Sequence, residues 1–135
     1  MSVIDRLVQT WRYAAVDDGD KRHAERTAEI LRERGADADL ILAGLLHDRA
    51  KPASTRLWHR VAAVLLETLA PALRRRFARG EGTFARYLDH ARRGAEMARV
   101  EGRSERVVRL IARHHDAPLE ADERLLARAD REAMP

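Results

Sequence analysis

The stretch that decides the fold is residues 37–52, which read DADLILAGLLHDRAKP. Residues 40–46 are apolar apart from one glycine, and either Asp37 or Asp39 stands before them as a helix N-cap. Proline disfavours helical backbone at the residue before it, so Lys51-Pro52 ends the segment. The stretch therefore predicts a central helix that extends from Leu40 to about Asp48.

Helical spacing of apolar residues also precedes this segment. Ser2 is placed to cap a first helix, whose apolar stripe consists of Ile4, Leu7, Val8, Trp11 and Ala15. The run Asp17-Asp18-Gly19-Asp20 interrupts the pattern, and Asp20 is placed to cap a second helix. That helix extends to Arg34, because Gly35 supplies the left-handed residue at which helices commonly end.

The chain after Pro52 has the same helical pattern. It predicts a fourth helix over residues 56–70, followed by one or two helical turns and a loop over 71–82. A fifth helix is expected over 83–100, with Thr83 as its cap. A sixth is capped by Ser104 and ends near His115, and the last extends over 120–132. No convincing strand pattern interrupts them. We therefore expect one all-α domain over residues 1–135, a compact bundle of six or seven helices, since this length suffices for one core.

The amino-acid composition excludes or disfavours several classes of function. The chain has no cysteine, which excludes disulfides and thiolate chemistry and suits the reducing cytoplasm. Its 26 basic residues face 22 acidic ones, a mixture that indicates solvated helix surfaces and disfavours nucleic acid as a partner. The N-terminus MSVIDRL lacks the apolar core of a secretory signal, and the apolar runs are too short to cross a bilayer. We expect a soluble cytoplasmic protein without a membrane partner, and homo-oligomer formation stays open.

Histidine and aspartate side chains mark four of the predicted helices. They are His23 in the second helix, His47-Asp48 at the end of the third, His114-His115 at the end of the sixth and Asp130 in the last. Burial of an unpaired carboxylate is costly, so a carboxylate on an apolar face normally has a charged partner or a metal. Imidazoles and carboxylates that converge from several helices are how helical bundles build metal sites.

Each of these residues also has a structural explanation. A single histidine on an apolar face is commonly a hydrogen-bonded core residue, and Asp48 can simply end a helix. Asp130 can pair with Arg128 or Arg131, and His114-His115 can stabilise a helix C-terminus through the macrodipole. Their combined occurrence on four helix faces favours a metal site over these separate explanations.

In the order His…His-Asp…Asp, these residues resemble the HD-domain metal-dependent phosphohydrolases. The resemblance covers about residues 20–131 and is carried by His23 in KRHAERTAEIL, His47-Asp48 in LAGLLHDRAK and Asp130 in RLLARADR. The chain is also similar to the subset with two metals. There the matching residues are His90, followed by a glycine four residues later in HARRGAEMA, and His114-His115 in LIARHHDAP.

The sequence departs from the family's motifs in two places, and these differences bear on which substrate the protein acts on. The usual HD-Ile-Gly-Lys is HDRAK here, which keeps Lys51 and loses the glycine. No Gly-Tyr-Pro motif follows the double histidine, which disfavours a cyclic-dinucleotide phosphodiesterase of the HD-GYP type.

The resemblance implies hydrolysis of a phosphate ester or anhydride, in a nucleotide or a similar small phosphorylated molecule, by metal-activated water. It implies that Asp48 bridges two divalent ions, that His23, His47 and Asp130 hold one of them, and that His90, His114 and His115 hold the other. Histidine-rich ligands without sulfur favour iron or manganese, with nickel, cobalt and magnesium as alternatives. Lys51 is expected to bind the substrate phosphate and to act in catalysis with Asp48, and Arg49 is a second candidate for substrate binding.

Other functions stay open at this point. A degenerate HD domain can bind nucleotide or metal as a regulatory module without turnover. The basic residues Arg74, Arg75, Arg76 and Arg79 offer a nucleic-acid surface, although a solvated helix face explains them better. His59 in RLWHRV has no counterpart among the family's ligands, and we expect it to be structural or at the surface.

Overall fold

A computed structural model describes residues 1–15 and 19–134, and that part of the chain contains nine helices and no strand. The helices are α1 (Val3–Ala14), α2 (Gly19–Glu33), α3 (Ala38–Leu46), α4 (Leu57–Leu69), α5 (Pro71–Phe77), α6 (Thr83–Leu88), α7 (His90–Val100), α8 (Glu105–Arg113) and α9 (Ala121–Glu132). The predicted all-α class is confirmed. The predicted number of six or seven helices is too low.

Two segments account for the difference in number. The predicted fifth helix is interrupted at Asp89, whose backbone leaves the helical region at φ −103° and ψ 14°, so that α6 ends there and α7 begins at His90. The one or two helical turns predicted after Pro71 form a separate helix over residues 71–77, because Pro71 occupies the first helical position, where its missing N–H is not needed. The interruption makes His90 the first residue of its own helix.

Three of the predicted N-caps are confirmed. The side chains of Ser2, Asp37 and Ser104 accept the backbone N–H groups of Asp5, Leu40 and Val107, respectively. These bonds satisfy amide groups that otherwise lack an intrahelical partner. Asp37, rather than Asp39, therefore begins the central helix.

Two other predicted caps lie inside their helices. Helix α2 already begins at Gly19, which places Asp20 in its first turn, and Gly82 precedes Thr83 as the N-cap of α6. The predicted interruption at Asp17 and Asp18 lies outside the described residues. Helix α3 ends earlier than expected, with His47 as its C-cap, and α8 ends at Arg113 before the double histidine.

The described residues form two compact units. The first contains α1, α4, α5 and α6, and the second contains α3, α7, α8, α9 and α2 from Asp20 onward. All seven predicted metal ligands belong to the second unit, whereas Lys51 and His59 belong to the first. A single domain over residues 1–135 stays a prediction.

Helix α4 is the centre of the first unit, where it contacts α1, α5 and α6. Tyr13 is the buried residue of α1, and the guanidinium of Arg60 lies 4.8 Å from the centroid of its ring. Nζ of Lys51 lies 5.5 Å from the same centroid. Cations at such distances from an aromatic face are attracted to it, so the Arg60 contact stabilises the packing of α1 on α4, and the Lys51 contact joins the segment before α4 to α1.

His59 is a structural residue of the first unit, which confirms one of its two predicted roles. It is buried, its Nδ1 accepts the backbone N–H of Arg56 at 2.8 Å, and its ring centroid lies 3.8 Å from that of Trp58. Burial lowers the pKa of His59. The residue therefore caps α4 as a neutral imidazole and takes no part in the histidine clusters of the second unit.

The second unit is built around α3, which contacts α8 and α9, while α8 also contacts α7 and α9. Its buried apolar core consists of Ile30, Leu31, Leu40, Ala43, Ala95, Ala98, Val107, Val108, Leu110, Ile111, Leu126 and Ala129. The helix predicted to be central therefore lies in this core. Helices α2, α7, α8 and α9 direct one apolar stripe inward, as their sequence period predicts, whereas α3 is apolar on most of its surface.

Gly44 allows α2 to approach α3 closely. A Cβ atom at this position would lie 2.5 Å from Cδ1 of Leu31 and 3.4 Å from Cγ2 of Thr27. Leu31 is fully buried, so its side chain has little room to move aside. The close approach brings His23 on α2 beside His47, with 5.4 Å between the ring centroids.

None of the helices in residues 1–15 and 19–134 has the length and hydropathy needed to span a bilayer.

Candidate metal centre

The first cluster joins α2, α9 and the end of α3. Its members are His23 on α2, His47 at the C-cap of α3 and Asp130 on α9. Oδ1 of Asp130 lies 2.6 Å from Nε2 of His23 and 3.1 Å from Nε2 of His47. Both histidines are buried and Asp130 is partly buried, so residues from distant parts of the sequence converge below the surface.

The second cluster joins the start of α7 to the end of α8. His90 is the first residue of α7, and His114 is the C-cap of α8, followed by His115. Nε2 of His115 lies 2.9 Å from Nε2 of His90, and the ring centroids of His90 and His114 are 5.3 Å apart. His90 is buried and His115 is exposed, so the cluster opens to solvent on the side of His115.

Asp48 lies between the two clusters, with one carboxylate oxygen toward each. Its Oδ1 is 3.0 Å from Nε2 of His90 and 3.4 Å from Nε2 of His114. Its Oδ2 is 3.4 Å from Nε2 of His47 and 3.9 Å from Nε2 of His23. With Asp48 counted in both, the ligand atoms of each cluster lie within 4.8 Å of one another. A single buried carboxylate therefore belongs to two groups that can each hold a metal ion.

Backbone carbonyls determine which ring nitrogen two of the histidines present. Nδ1 of His47 lies 2.6 Å from the carbonyl oxygen of Gly44, and Nδ1 of His114 lies 2.6 Å from that of Ile111. A carbonyl oxygen only accepts hydrogen bonds, so both Nδ1 atoms carry a proton and donate it. In the neutral ring the lone pair is then on Nε2, the atom that faces Asp48.

Positive charge balances the buried carboxylates of the first cluster. Burial lowers the pKa of His47, but the charge of Asp48 and the hydrogen bond with Asp130 outweigh it and raise this pKa to about 9. Burial raises the pKa of Asp130, whereas hydrogen bonds with His23 and His47 bring it well below its usual range. A proton on His47 supplies compensating charge, and a divalent cation can replace it.

The donor set fits a divalent transition metal. All candidate ligand atoms are imidazole nitrogens or carboxylate oxygens, a combination that suits iron, manganese, nickel and cobalt. Nε2 of His114 is buried and makes no hydrogen bond within the described part of the chain. A buried nitrogen of this kind calls for an explanation, and coordination of a cation would supply one.

The structure brings the seven predicted metal ligands together, while the two predicted substrate residues have other contacts. Nη1 of Arg49 donates to both carboxylate oxygens of Glu101, at 2.8 and 3.0 Å. Nζ of Lys51 lies near the rings of Tyr13 and Tyr87 in the first unit. The substrate-binding roles of Arg49 and Lys51 stay predictions.

Sequence reasoning missed the ion pair that joins the two ligand-bearing segments of α8 and α9. Nε of Arg113, directly before His114-His115, donates to Oε1 of Glu123 at 3.0 Å, and Oε2 of Glu123 accepts the backbone N–H of Leu119 at 2.7 Å. Glu123 is buried and precedes Asp130 by two helical turns, on the same face of α9. That seven-residue spacing was the available signal for its role in positioning α9.

The glycine that follows His90 by four residues has a packing reason. A Cβ atom at Gly94 would lie 3.3 Å from Cγ2 of Ile111 and 3.8 Å from the carbonyl oxygen of His47. Helix α7 therefore lies close to α8 and to the end of α3. This close packing places His90 beside Asp48.

Comparison with known protein families agrees with this geometry. The HD domain family matches residues 21–134, a range that includes all seven candidate ligands. No curated protein and no solved structure matches the chain. The match covers most of the sequence and confirms the resemblance seen in the motifs. The chain belongs to the HD domain family, a superfamily of metal-dependent phosphohydrolases.

Proposed function

We propose that this protein is a metal-dependent phosphohydrolase that cleaves a phosphate ester or anhydride in a nucleotide or a similar small molecule. The observation that carries the proposal is the position of Asp48, whose two oxygens face two separate histidine clusters. A buried carboxylate shared by two ligand sets suits a pair of divalent cations. We infer two ions, iron or manganese in preference, with nickel, cobalt and magnesium as alternatives. A cytoplasmic location belongs to the same proposal.

The seven candidate ligands form two sets, one for each ion, and the two sets share one carboxylate. In this proposal His23, His47 and Asp130 would hold one ion, His90, His114 and His115 would hold the other, and Asp48 would be a ligand of both. When bound, such cations lower the pKa of water and stabilise the negative charge that develops on a phosphoryl group. The Nδ1 hydrogen bonds of His47 and His114 keep their rings oriented for this role.

The charge of the two clusters favours an anionic substrate. Asp48 and Asp130 are their carboxylates, so they supply two negative charges against the four positive charges of two divalent cations. The remaining positive charge attracts a phosphate group, and the burial of Asp48 keeps solvent screening weak. His115 is the exposed ligand of the second cluster, so a substrate can reach that cluster from solvent.

Lys51→Ala is expected to leave the metal content unchanged and to lower kcat/KM roughly tenfold or more, the loss typical of a charged hydrogen bond. A lysine ammonium has no lone pair, so it binds the substrate phosphate rather than a metal. The matched control is Lys21→Ala, at the other lysine of the chain. Elemental analysis and steady-state kinetics of the parent, Lys51→Ala and Lys21→Ala test the role of Lys51. Loss of metal in Lys51→Ala would point to a structural role instead.

The experiment that tests the proposal combines metal analysis with an assay of phosphate release. Purified protein is loaded with manganese, anaerobic iron or magnesium and supplied with a panel of nucleotides. We expect release of phosphate that requires the cation and stops when a chelator removes it. A protein that binds nucleotide and two cations per chain but releases no phosphate would instead be a regulatory module. A protein that binds no cation would contradict both functions.

A further inference from the structure

Helix α1 has an uncovered apolar stripe on its outer face. The exposed fractions of Ile4, Val8 and Trp11 are 72%, 45% and 61%, and Ala15, the C-cap, is exposed as well. The opposite face of α1 contacts α4 and carries the buried Tyr13. Single exposed apolar residues are ordinary, but a continuous stripe over the whole helix indicates a contact surface.

The spacing of the stripe is that of a coiled-coil seam. Ile4, Val8, Trp11 and Ala15 follow one another at intervals of four, three and four residues, which correspond to the d, a, d and a positions of a heptad. We call these four residues the α1 seam. Such a seam is buried by a second helix that lies nearly parallel or antiparallel to the first.

The charges beside the α1 seam are complementary to those of the same helix in a second copy of the chain. Asp5 and Arg12 are exposed and occupy the same heptad position, e, seven residues apart. In an antiparallel pair, e positions lie opposite e positions, so Asp5 of each copy faces Arg12 of the other. In a parallel pair the same residues would face Leu7 and Ala14 instead. The helix is therefore self-complementary only about a two-fold axis.

The same register also matches the sizes of the seam residues. When Asp5 lies opposite Arg12 of the second copy, Val8 lies opposite Trp11 and Ile4 lies opposite Ala15. Each layer then combines a larger side chain with a smaller one, which is how facing positions fill space without voids. Charge and volume thus lead independently to one alignment of the two helices.

We propose that two copies of this chain associate through the α1 seam as an antiparallel, two-fold symmetric pair. The twelve residues of α1 extend over about 18 Å, so the interface is smaller than that of a standard stable complex. The dimer is accordingly weak and concentration-dependent. The candidate metal ligands belong to the other compact unit.

Sedimentation of the full chain over a range of concentrations tests the proposal. The parent is expected to change from a 15.4 kDa monomer to a particle of twice that mass as its concentration rises. Arg12→Asp places like charges opposite each other at both ends of the seam, and Asp5→Arg does the same with the opposite sign. Each variant alone is expected to dimerise roughly tenfold or more weakly, a loss of about 1.4 kcal/mol. An equimolar mixture of the two restores opposite charges and is expected to dimerise like the parent.

Two further variants distinguish loss of the α1 seam contact from a general effect of changing a surface charge. Val8→Glu places a charge in the centre of the α1 seam and is expected to remain monomeric, and Arg75→Asp is the matched control, because it changes an exposed arginine outside the seam. Circular dichroism verifies helix content, since Asp5 also takes part in the N-terminal cap of α1. A parent that stays monomeric up to about 1 mM, or a charge-swapped mixture that stays monomeric, overturns the proposal. Binding of monomers to anionic vesicles, abolished by Val8→Glu, would assign the stripe to a membrane surface instead.

Discussion

Asp48→Asn is expected to reduce phosphate release by roughly 10³-fold and to remove most of the bound metal. Asparagine keeps the size of the side chain but has one carbonyl oxygen, so it cannot offer an anionic oxygen to each histidine cluster. Two divalent cations would also repel each other without the charge of Asp48 between them. Among residues 1–15 and 19–134, Asp48 is the one group that belongs to both clusters.

The comparison for Asp48→Asn is Asp116→Asn. Asp116 is an exposed carboxylate one residue beyond His115, and its Oδ2 lies 3.4 Å from Nη1 of Arg113. Its replacement is expected to leave metal content and activity close to those of the parent. Elemental analysis, phosphate release and circular dichroism of the three proteins give the answer. An Asp48→Asn protein with full metal content and normal turnover would show that the catalytic centre lies elsewhere.

His90→Ala and His114→Ala are each expected to lower the metal content from about two ions per chain toward one. These histidines surround Oδ1 of Asp48, whereas the ligands of the other ion face Oδ2 and remain in place. Even changes outside the ligand set cost about 10–100-fold in metal affinity, so loss of a ligand is expected to cost at least that. Activity is expected to fall with the second ion, because the two ions share the charge of one phosphoryl group.

His59→Ala provides the control for these histidine variants. His59 is also buried, so its replacement is expected to lower the melting temperature by removing the bond to the backbone of Arg56. Its metal content should equal that of the parent. A parent that saturates with one ion under manganese or anaerobic iron, with His90 and His114 dispensable for binding, would leave a mononuclear site.

Local sequence signals were sufficient for most of the helices and for the residues of the candidate site. Caps such as Ser2 and Ser104 and the left-handed Gly35, at φ +72°, satisfy groups within a few residues, so they can be recognised without the fold. The histidine and aspartate positions were recognisable because their order resembles that of a known family. Taken one at a time, each of them has an ordinary structural explanation, and only their combined occurrence on four helix faces favours a metal site.

Features that depend on contacts between distant segments could not be predicted in this way. The interruption at Asp89 has no glycine or proline to mark it, and the hydrogen bonds of Arg49 join it to Glu101, 52 residues away. Likewise, the apolar period of α1 predicts that one face is apolar, but it does not determine what covers that face. The split of residues 83–100 and the exposure of the α1 seam are therefore tertiary properties.

The bond between His23 and Asp130 joins residues that are 107 positions apart, and this distance has a consequence for biosynthesis. The second cluster is complete once His115 has been synthesised, whereas the first lacks its outer carboxylate until α9 follows. Contacts of large sequence separation also form late, because the intervening chain must be ordered before they are made. A nascent or truncated chain without α9 therefore contains every ligand of the second cluster, whereas its first cluster lacks Asp130. Loading of the first cluster with metal would report that translation and folding have reached α9.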